Sequence, residues 1–389
     1  MITPIYALSA DPIHYGHLNT IKHIKNLKCF GDTELIIAVG NNEGKKYMFN
    51  QDERVVLARS AIESLRLKNV TVEGFDGFLY KYANKHPDPI LVRSGRNGKD
   101  FEFEKNLSNF NKQMYKKDFG KDLNTIVLPA ENDLVNVSST LVRESIRDKK
   151  FVNDYVPPVI KQALEEKVHD TTLIGVTGNM GSGKTTLCNY LASNDNLITH
   201  IDVDKIVHSF YVPDSPYYDY VRTEIEKNFG SKYYQNDVVD KFKMRELVFD
   251  RVNRSSLLNI LEKPTLKTLQ QEVYNHKGIV LVDVAYLVEN ELMDYVNNNV
   301  ILAQCSEHVR QQRINNRDKK NDDVRFQNSD AQYPLGKKKS KIMFKIQNDK
   351  YGTLYNVNTE KNESSLILNK RIFPVFNLHT KMERYINGN

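Results

Sequence analysis

Residues 172–193 read TLIGVTGNMGSGKTTLCNYLAS. An apolar run, Thr172 to Thr177, passes into a glycine-rich turn, and the turn into a helix-forming segment. Gly178-Asn179-Met180-Gly181-Ser182-Gly183-Lys184-Thr185 fits GxxxxGK[ST] completely. Glycines let backbone N–H groups turn inward around phosphate oxygens, and the following helix presents its positive N-terminus to the same anion. Lys184 is expected to bridge the β- and γ-phosphates of ATP, with Thr186 beside it, and the Thr185 hydroxyl to hold Mg²⁺. The competing reading is an accidental glycine-rich turn; a strand before it and a helix after it argue against that.

The same event occurs once more upstream. Pro4 to Ala10 runs into DPIHYGH and then into LNTIKHIKNL. Around these two points, short β-rich runs alternate with amphipathic stretches: ELIIAVG, NVTVEGF, PILVRSG and NTIVLPA in the first half, GIVLVDVAYLV and NVILAQC in the second. That alternation predicts parallel sheets with crossover helices, an α/β class with two doubly wound domains. A length of 389 residues suits two cores rather than one. No repeat of solenoid type is present. VPPVIKQALEEK reads as a closing helix with prolines at its start, which puts the seam near residues 165–172. The expected domains are 1–168 and 169–355, with an Asn- and Lys-rich appendage at 356–389.

Composition narrows the function. Apolar residues make up 40% and the formal net charge is +6, a mild bias that suits anionic small molecules without selecting one. Cys29, Cys188 and Cys305 are far apart, neither a disulfide framework nor a CxxC metal pattern, so a reducing, cytoplasmic setting is expected. The longest apolar run, Ile279 to Val288, is broken by Asp283 and too short to span a bilayer. The N-terminal MITPIYALSADP has no charged n-region, and neither export nor a membrane partner is expected. Gly336 to Lys345, GKKKSKIMFK, is basic but carries one aromatic, Phe344; a solvated lid or phosphate-facing loop is expected there rather than a nucleic-acid surface.

Other residues carry chemistry. His200-Ile201-Asp202-Val203-Asp204 puts two carboxylates on one side of a strand end. One can orient a hydroxyl and take its proton, the other can serve Mg²⁺ or cap a helix; the bland alternative is that Asp204 is merely the cap. Arg313 and Arg317, read from the sequence alone, belong to a solvated helix face. His14-Tyr15-Gly16-His17 opens a helix after a strand, where imidazoles can donate to phosphate oxygens. Ser138-Ser139-Thr140 stands at a helix start, as a phosphate cradle or an ordinary cap. Between them lie the cations Lys45 and Arg93.

TGNMGSGKTTLCNYLA, IDVDKIVH, VLVDVAYLVEN and VRQQRINNRD, in this order, resemble dephospho-CoA kinase. The resemblance implies a P-loop NTPase kinase fold, with Asp204 activating a ribose 3′-hydroxyl, Asp202 beside the acceptor, and Arg313 and Arg317 on a lid over the phosphates. Asn179, Lys263-Pro264 and the Ala285-to-Glu289 segment depart from the family pattern, and they touch acceptor binding more than ATP binding. Most of residues 3–168 resembles the HxGH nucleotidyltransferases, and among them phosphopantetheine adenylyltransferase. The segments that carry this are ALSADPIHYGHLNTI, NNEGKKYMFNQDERVVLA, VEGFDGFLYKYA, LVRSGRNGKDFEFEKNLSNFN and VSSTLVRE.

That second resemblance implies a Rossmann-like domain. Ser9, His14, Gly16 and His17 would meet ATP phosphates, and Ser138, Ser139 and Thr140 the β- and γ-phosphates. Lys45 and Arg93 would hold the α-phosphate and the incoming phosphate, with Ser9 near the acceptor. Arg96 would meet the triphosphate, Glu104 the adenosine, and Leu79 the pantetheine channel. Leu8 and Ser94 depart from the family's small strand-end residues. Taken together, the two halves imply conversion of 4′-phosphopantetheine to dephospho-CoA, then of dephospho-CoA to CoA, each step consuming ATP.

An NMN adenylyltransferase fused to a nicotinamide riboside kinase is the alternative, disfavoured by RSGRNGKDFEFE and IDVDKIVH. A catalytically reduced regulator is suggested by Leu8, Asn179 and Ala285 but opposed by Lys45, Arg93, Lys184 and Asp204. The adenylyltransferase family is often oligomeric, so self-association is carried over as an expectation.

Overall fold

In the first half, runs of β-branched and aliphatic residues form five strands: β1 (Thr3–Leu8), β2 (Leu35–Gly40), β3 (Val70–Phe75), β4 (Pro89–Gly95) and β5 (Asn124–Pro129). The computed structural model describes residues 2–42, 44–130, 134–235, 238–240, 243–244, 247, 251–319, 332–361 and 365–373. The five strands are parallel in the order β3-β2-β1-β4-β5. α1 (Tyr15–Asn26), α2 (Gln51–Glu63), α3 (Leu79–Ala83), α4 (Gly98–Phe119) and α5 (Ser139–Arg147) make the connections. β1 and β2 are buried along almost their whole length, which is why they read as continuous apolar runs. Ile5, Ala7, Ile36, Leu91, Tyr80 and Tyr115 share one core cluster. Each fully buried aliphatic side chain there contributes about 1.5–3 kcal/mol. After β3 the chain returns to the other side of β1, and this reversal opens a crevice at the carboxyl ends of β1 and β4.

In the second half, β6 (Thr171–Thr177), β7 (Ile198–Asp202), β10 (Gly278–Asp283), β11 (Asn299–Gln304) and β12 (Thr353–Asn358) are parallel in the order β12-β11-β6-β10-β7. A short antiparallel hairpin, β8 (Tyr234–Gln235) with β9 (Val238–Val239), stands apart from this sheet. α6 (Pro158–His169) precedes β6, and α7 (Lys184–Ser193) follows the glycine-rich turn. α8 (Val203–Ser209), α9 (Tyr218–Phe229) and α10 (Arg251–Val273) come next. Phe210, Val221, Ile225, Tyr233, Leu257 and Leu261 form a core of their own among them. α11 (Glu307–Lys319), α12 (Leu335–Asp349) and α13 (Ser365–Ile372) complete the order. Both halves are therefore α/β with doubly wound parallel sheets.

Among the described residues, the contacts divide the chain into 2–164 with 348–351, and 165–347 with 352–373. The division falls inside α6. Two sequence expectations need correction. The boundary drawn after Tyr355 cuts β12, which pairs with β11 through Asn358; beyond it Ile372 is fully buried against Leu187 and Leu191 of α7. Residues 374–389 lie outside the described residues. The basic stretch at 336–345 is helix α12 rather than a loop, and Lys338 is buried in an ion pair with Glu289 at 3.0 Å. No helix among the described residues is long and apolar enough to cross a membrane.

Candidate active sites

At the crevice of the first sheet, His14 occupies the N-cap position of α1 and stacks on His17, ring centroids 3.7 Å apart. Gly16 makes this possible, because a Cβ there would stand 3.0 Å from the His14 ring. The His14 backbone N–H donates to His17 Nδ1 at 3.3 Å, so His17 carries its proton on Nε2, where it can donate. Burial, and then the positive charge of Arg96, hold His17 down to about 3. Burial, with His17 and Arg96 behind it, holds His14 well below the usual range. Both rings are neutral donors at physiological pH. His14 Nδ1 is buried and has no hydrogen-bond partner among the described residues.

The cations differ in their engagement. Arg93, at the end of β4, donates from Nε and Nη2 to both oxygens of Glu104 at 2.6 and 2.9 Å, and from Nη1 to the Ala7 carbonyl at 2.6 Å. Arg93 and Glu104, expected to meet different parts of ATP, thus form a bidentate pair. Arg96 is exposed and pairs with Asp100 at 3.0 Å. Lys45 is exposed, on the loop between β2 and α2. Ser138 caps α5 by accepting from the Leu141 N–H, the ordinary helix-cap role. Ser139 donates to the Pro12 carbonyl at 2.8 Å and so fastens α5 to the HxGH loop, while Thr140 accepts from Arg143 at 3.2 Å. Leu79 opens α3 beside the core cluster, and the Ser9 carbonyl accepts from Arg54.

Two residues absent from the sequence expectations organise this site. Asp11 is buried and accepts from the N–H groups of Met48 and Phe49, both at 3.0 Å, which fixes the loop bearing Lys45. Arg54, fully buried, donates to the Ser9 and Gly40 carbonyls and lies 4.0 Å over the Tyr47 ring. Asp and Arg at these places carry no local signal; only the fold brings them to the strand ends.

In the second unit a cleft of about 1100 Å³ opens at the glycine-rich turn, and Asn179 to Thr186 lines it with Asp204 and Arg313. Gly178 lies against β11, since a Cβ there would come 2.4 Å from the Ala303 carbonyl. Gly181 and Gly183 have φ of +79° and +81°, the left-handed region that glycine permits. The Met180 N–H donates to Gln332 at 3.0 Å, and the Ser182 carbonyl accepts from Thr359 at 2.7 Å. Arg313 donates to Thr359 Oγ1 and O at 2.9 and 3.0 Å, so it is anchored beside the turn rather than solvated. The side chain of Arg317 lies outside the described residues.

Asp283, quoted in the sequence but not singled out, is the hub. It accepts from the Thr185 hydroxyl at 2.6 Å and stands 3.5 Å from Lys184 Nζ and 3.5 Å from His200 Nε2. Burial pushes its carboxyl up, but His200, Lys184 and Thr185 outweigh that and hold it below its ordinary value. Asp202 is the helix cap, accepting from the N–H groups of Asp204 and Lys205 at 3.0 and 3.3 Å. Asp204 is therefore not the cap, which corrects the bland alternative. Burial raises the Asp204 carboxyl, Lys184 opposes this, and Asp202 and Asp283 add to it.

The comparisons agree with both geometries. A cytidylyltransferase-like family model matches residues 6–145. The phosphopantetheine adenylyltransferase of Rhizobium meliloti is 33% identical over 170 residues, 43% of this chain and 99% of the relative. That of Rhizobium rhizogenes is 33% identical over 44% of this chain and 98% of its own length. That of Heliobacterium modesticaldum is 32% identical over 44% and 95%. The chain belongs, through its first unit, to the phosphopantetheine adenylyltransferase family. A dephospho-CoA kinase family model matches residues 172–353, the second unit. The fusion thus joins a nucleotidyltransferase to a kinase, and both families use ATP, typically with a divalent metal.

Proposed function

We propose that this chain carries out two consecutive steps of coenzyme A synthesis. The observation that carries the reading is the order of the two families on one chain, each with a strand–turn–helix junction at its motif. In the first step a phosphate oxygen of 4′-phosphopantetheine attacks the α-phosphorus of ATP. The new P–O bond forms as the bond to the β-phosphate breaks, and pyrophosphate leaves with the electron pair. The nucleophile is already anionic, so no side chain need remove a proton; catalysis is positioning and charge stabilisation. The neutral His17 donates Nε2–H to ATP phosphate, Lys45 and Arg93 neutralise the reacting phosphates, and Arg96 the triphosphate. Ser139 keeps the α5 end against the HxGH loop. Leu79 lines the side toward the pantetheine arm.

In the second step the ribose 3′-hydroxyl oxygen of dephospho-CoA attacks the γ-phosphorus of a second ATP, and ADP leaves. Asp204 takes the hydroxyl proton, a task its burial favours. Lys184 and the N–H groups of the turn hold the β- and γ-phosphates, and Arg313 adds positive charge beside them. Thr185 and Asp283 offer hard oxygen donors and fit Mg²⁺, which when bound neutralises charge on the transferring phosphates. Mass detection of dephospho-CoA and CoA from 4′-phosphopantetheine and MgATP tests the proposal. Turnover of NMN alone would overturn it.

A further inference from the structure

Three ligand-type side chains from three elements converge beneath the phosphate turn: Cys188 of α7, His200 of β7 and Asp283 of β10. One ligand atom from each lies within 4.8 Å of the other two. Cys188 is fully buried, and the side chains of His200 and Asp283 are 7% and 2% exposed. His200 Nδ1 stands 2.8 Å from Asn189 Oδ1, an oxygen that only accepts. With Nδ1 engaged by Asn189, Nε2 is the ring nitrogen turned toward Asp283. That nitrogen is buried without a hydrogen-bond partner, 3.5 Å from Asp283 Oδ2. Asp283 Oδ1 receives no hydrogen bond among the described residues and has the Lys184 ammonium 3.5 Å away. The 3.5 Å between the buried ring nitrogen and the buried carboxylate oxygen is long for a hydrogen bond and leaves room for a cation held by both, with the Cys188 sulfur beside them.

We propose that Cys188, His200 and Asp283 form a binding site for a thiophilic divalent cation, Zn²⁺ in the first place, and that its occupation arrests the kinase step. Sulfur, nitrogen and oxygen donors from three residues with a fourth position left over match zinc coordination. Tetrahedral zinc with bonds of about 2.0–2.2 Å to nitrogen and oxygen places those atoms roughly 3.4 Å apart, close to the 3.5 Å observed. Asn189 supplies the outer hydrogen bond that orients a ligating imidazole. Mg²⁺, which demands oxygen ligands, does not compete for the thiolate. On binding, the thiol proton passes to solvent, and thiolate and carboxylate balance the 2+ charge. Asp283 cannot serve both tasks: the zinc-bound carboxylate is drawn from Thr185 and Lys184. The metal site stands whether or not the kinase reading is correct; the arrest rests on that reading.

The test uses the full chain stripped of metal and titrated with Co²⁺. A thiolate-to-cobalt charge-transfer band is expected, saturating at one equivalent. It should survive Cys29→Ser with Cys305→Ser and vanish in Cys188→Ala, and His200→Gln should weaken cobalt binding by about 10–100-fold. Zn²⁺ should displace the cobalt and lower phosphorylation of dephospho-CoA by about tenfold or more in excess MgATP. Cys188→Ala should keep wild-type turnover without zinc and ignore zinc when it is added. Absence of the band in the folded wild-type chain, or its persistence in Cys188→Ala, would overturn the site. Zinc binding with undiminished kinase turnover would overturn the arrest. A chain inert toward dephospho-CoA would count against the kinase reading, and the cobalt spectrum would still decide the metal site.

Discussion

Asp202 and Asp204 stand two positions apart, and the structure divides their work. Asp202 spends its carboxylate on the first N–H groups of α8, while Asp204 lines the cleft with a raised carboxyl. Asp204→Asn is expected to lower kcat of the second step by about 10²–10⁴-fold with the melting temperature unchanged. Asp202→Ala is expected to cost about 0.5–2 kcal/mol of stability and to keep most of the turnover. ADP release and thermal melts check both, and the reverse ranking would move the base to Asp202. The spacing of the two acids was readable, but not which one caps, because capping depends on where the strand stops. His14 and His17 raise the same question of state. Their folded values lie below the unfolded value near 6.5. The unfolded chain therefore binds more protons on acidification, and stability is lost as pH falls through about 6.5 toward 3. Melting midpoints should drop between about pH 7 and about pH 4, less so in His17→Gln. Pyrophosphate release should show no titration from these rings between about pH 6 and about pH 8. A kinetic pKa near 6.5 that disappears in His17→Gln would contradict the neutral pair.

At the scale of elements, both proposed phosphate sites are strand–turn–helix junctions, and their glycines are set by what the turn lies against. Gly178 packs on the backbone of β11, with the Ala303 carbonyl 2.4 Å from where a Cβ would stand. A central strand cannot step aside. Gly178→Ala is expected to destabilise the second unit by about 1–3 kcal/mol and to abolish kinase turnover. Gly336 in α12 has open space around the same point. Gly336→Ala should instead stabilise the helix by about 0.5–1 kcal/mol, so paired melts distinguish crowding from helix propensity. These junctions were legible because each motif is contiguous. Asp283 was not, because its meaning comes from register: it sits opposite Asp202 in the β10–β7 ladder and reaches Thr185 from across the sheet. The same holds for Asp11 and the Met48–Phe49 loop, and for Glu289, whose partner Lys338 lay inside a stretch that looked solvated. A charge run shows its composition, while tertiary packing decides which of its lysines is buried.

For the whole molecule, the proposed function predicts two active sites linked by one intermediate that is released and rebound. The proposed ATP-binding residues of each site come from its own half of the chain, Lys45 for the first step and Lys184 for the second. Lys184→Ala should reduce the kinase step by about 10²–10³-fold and leave pyrophosphate release intact, so dephospho-CoA accumulates. Lys45 is exposed, and only its backbone N–H is engaged among the described residues, donating to the Asn42 carbonyl at 2.9 Å. Lys45→Ala should therefore fold normally, slow the first step by a similar factor, and still phosphorylate added dephospho-CoA. An equimolar mixture of the two variants should then make CoA from 4′-phosphopantetheine and ATP. Dephospho-CoA must first build up in solution, so the mixture should show a lag that lengthens as the protein is diluted. The wild-type chain makes and uses the intermediate at the same concentrations, and its lag should match at equal active-site content. A wild-type lag that is shorter and insensitive to dilution would mean that dephospho-CoA passes between the sites without release. Loss of pyrophosphate release in folded Lys184→Ala would mean that the two steps do not run on separate sites at all.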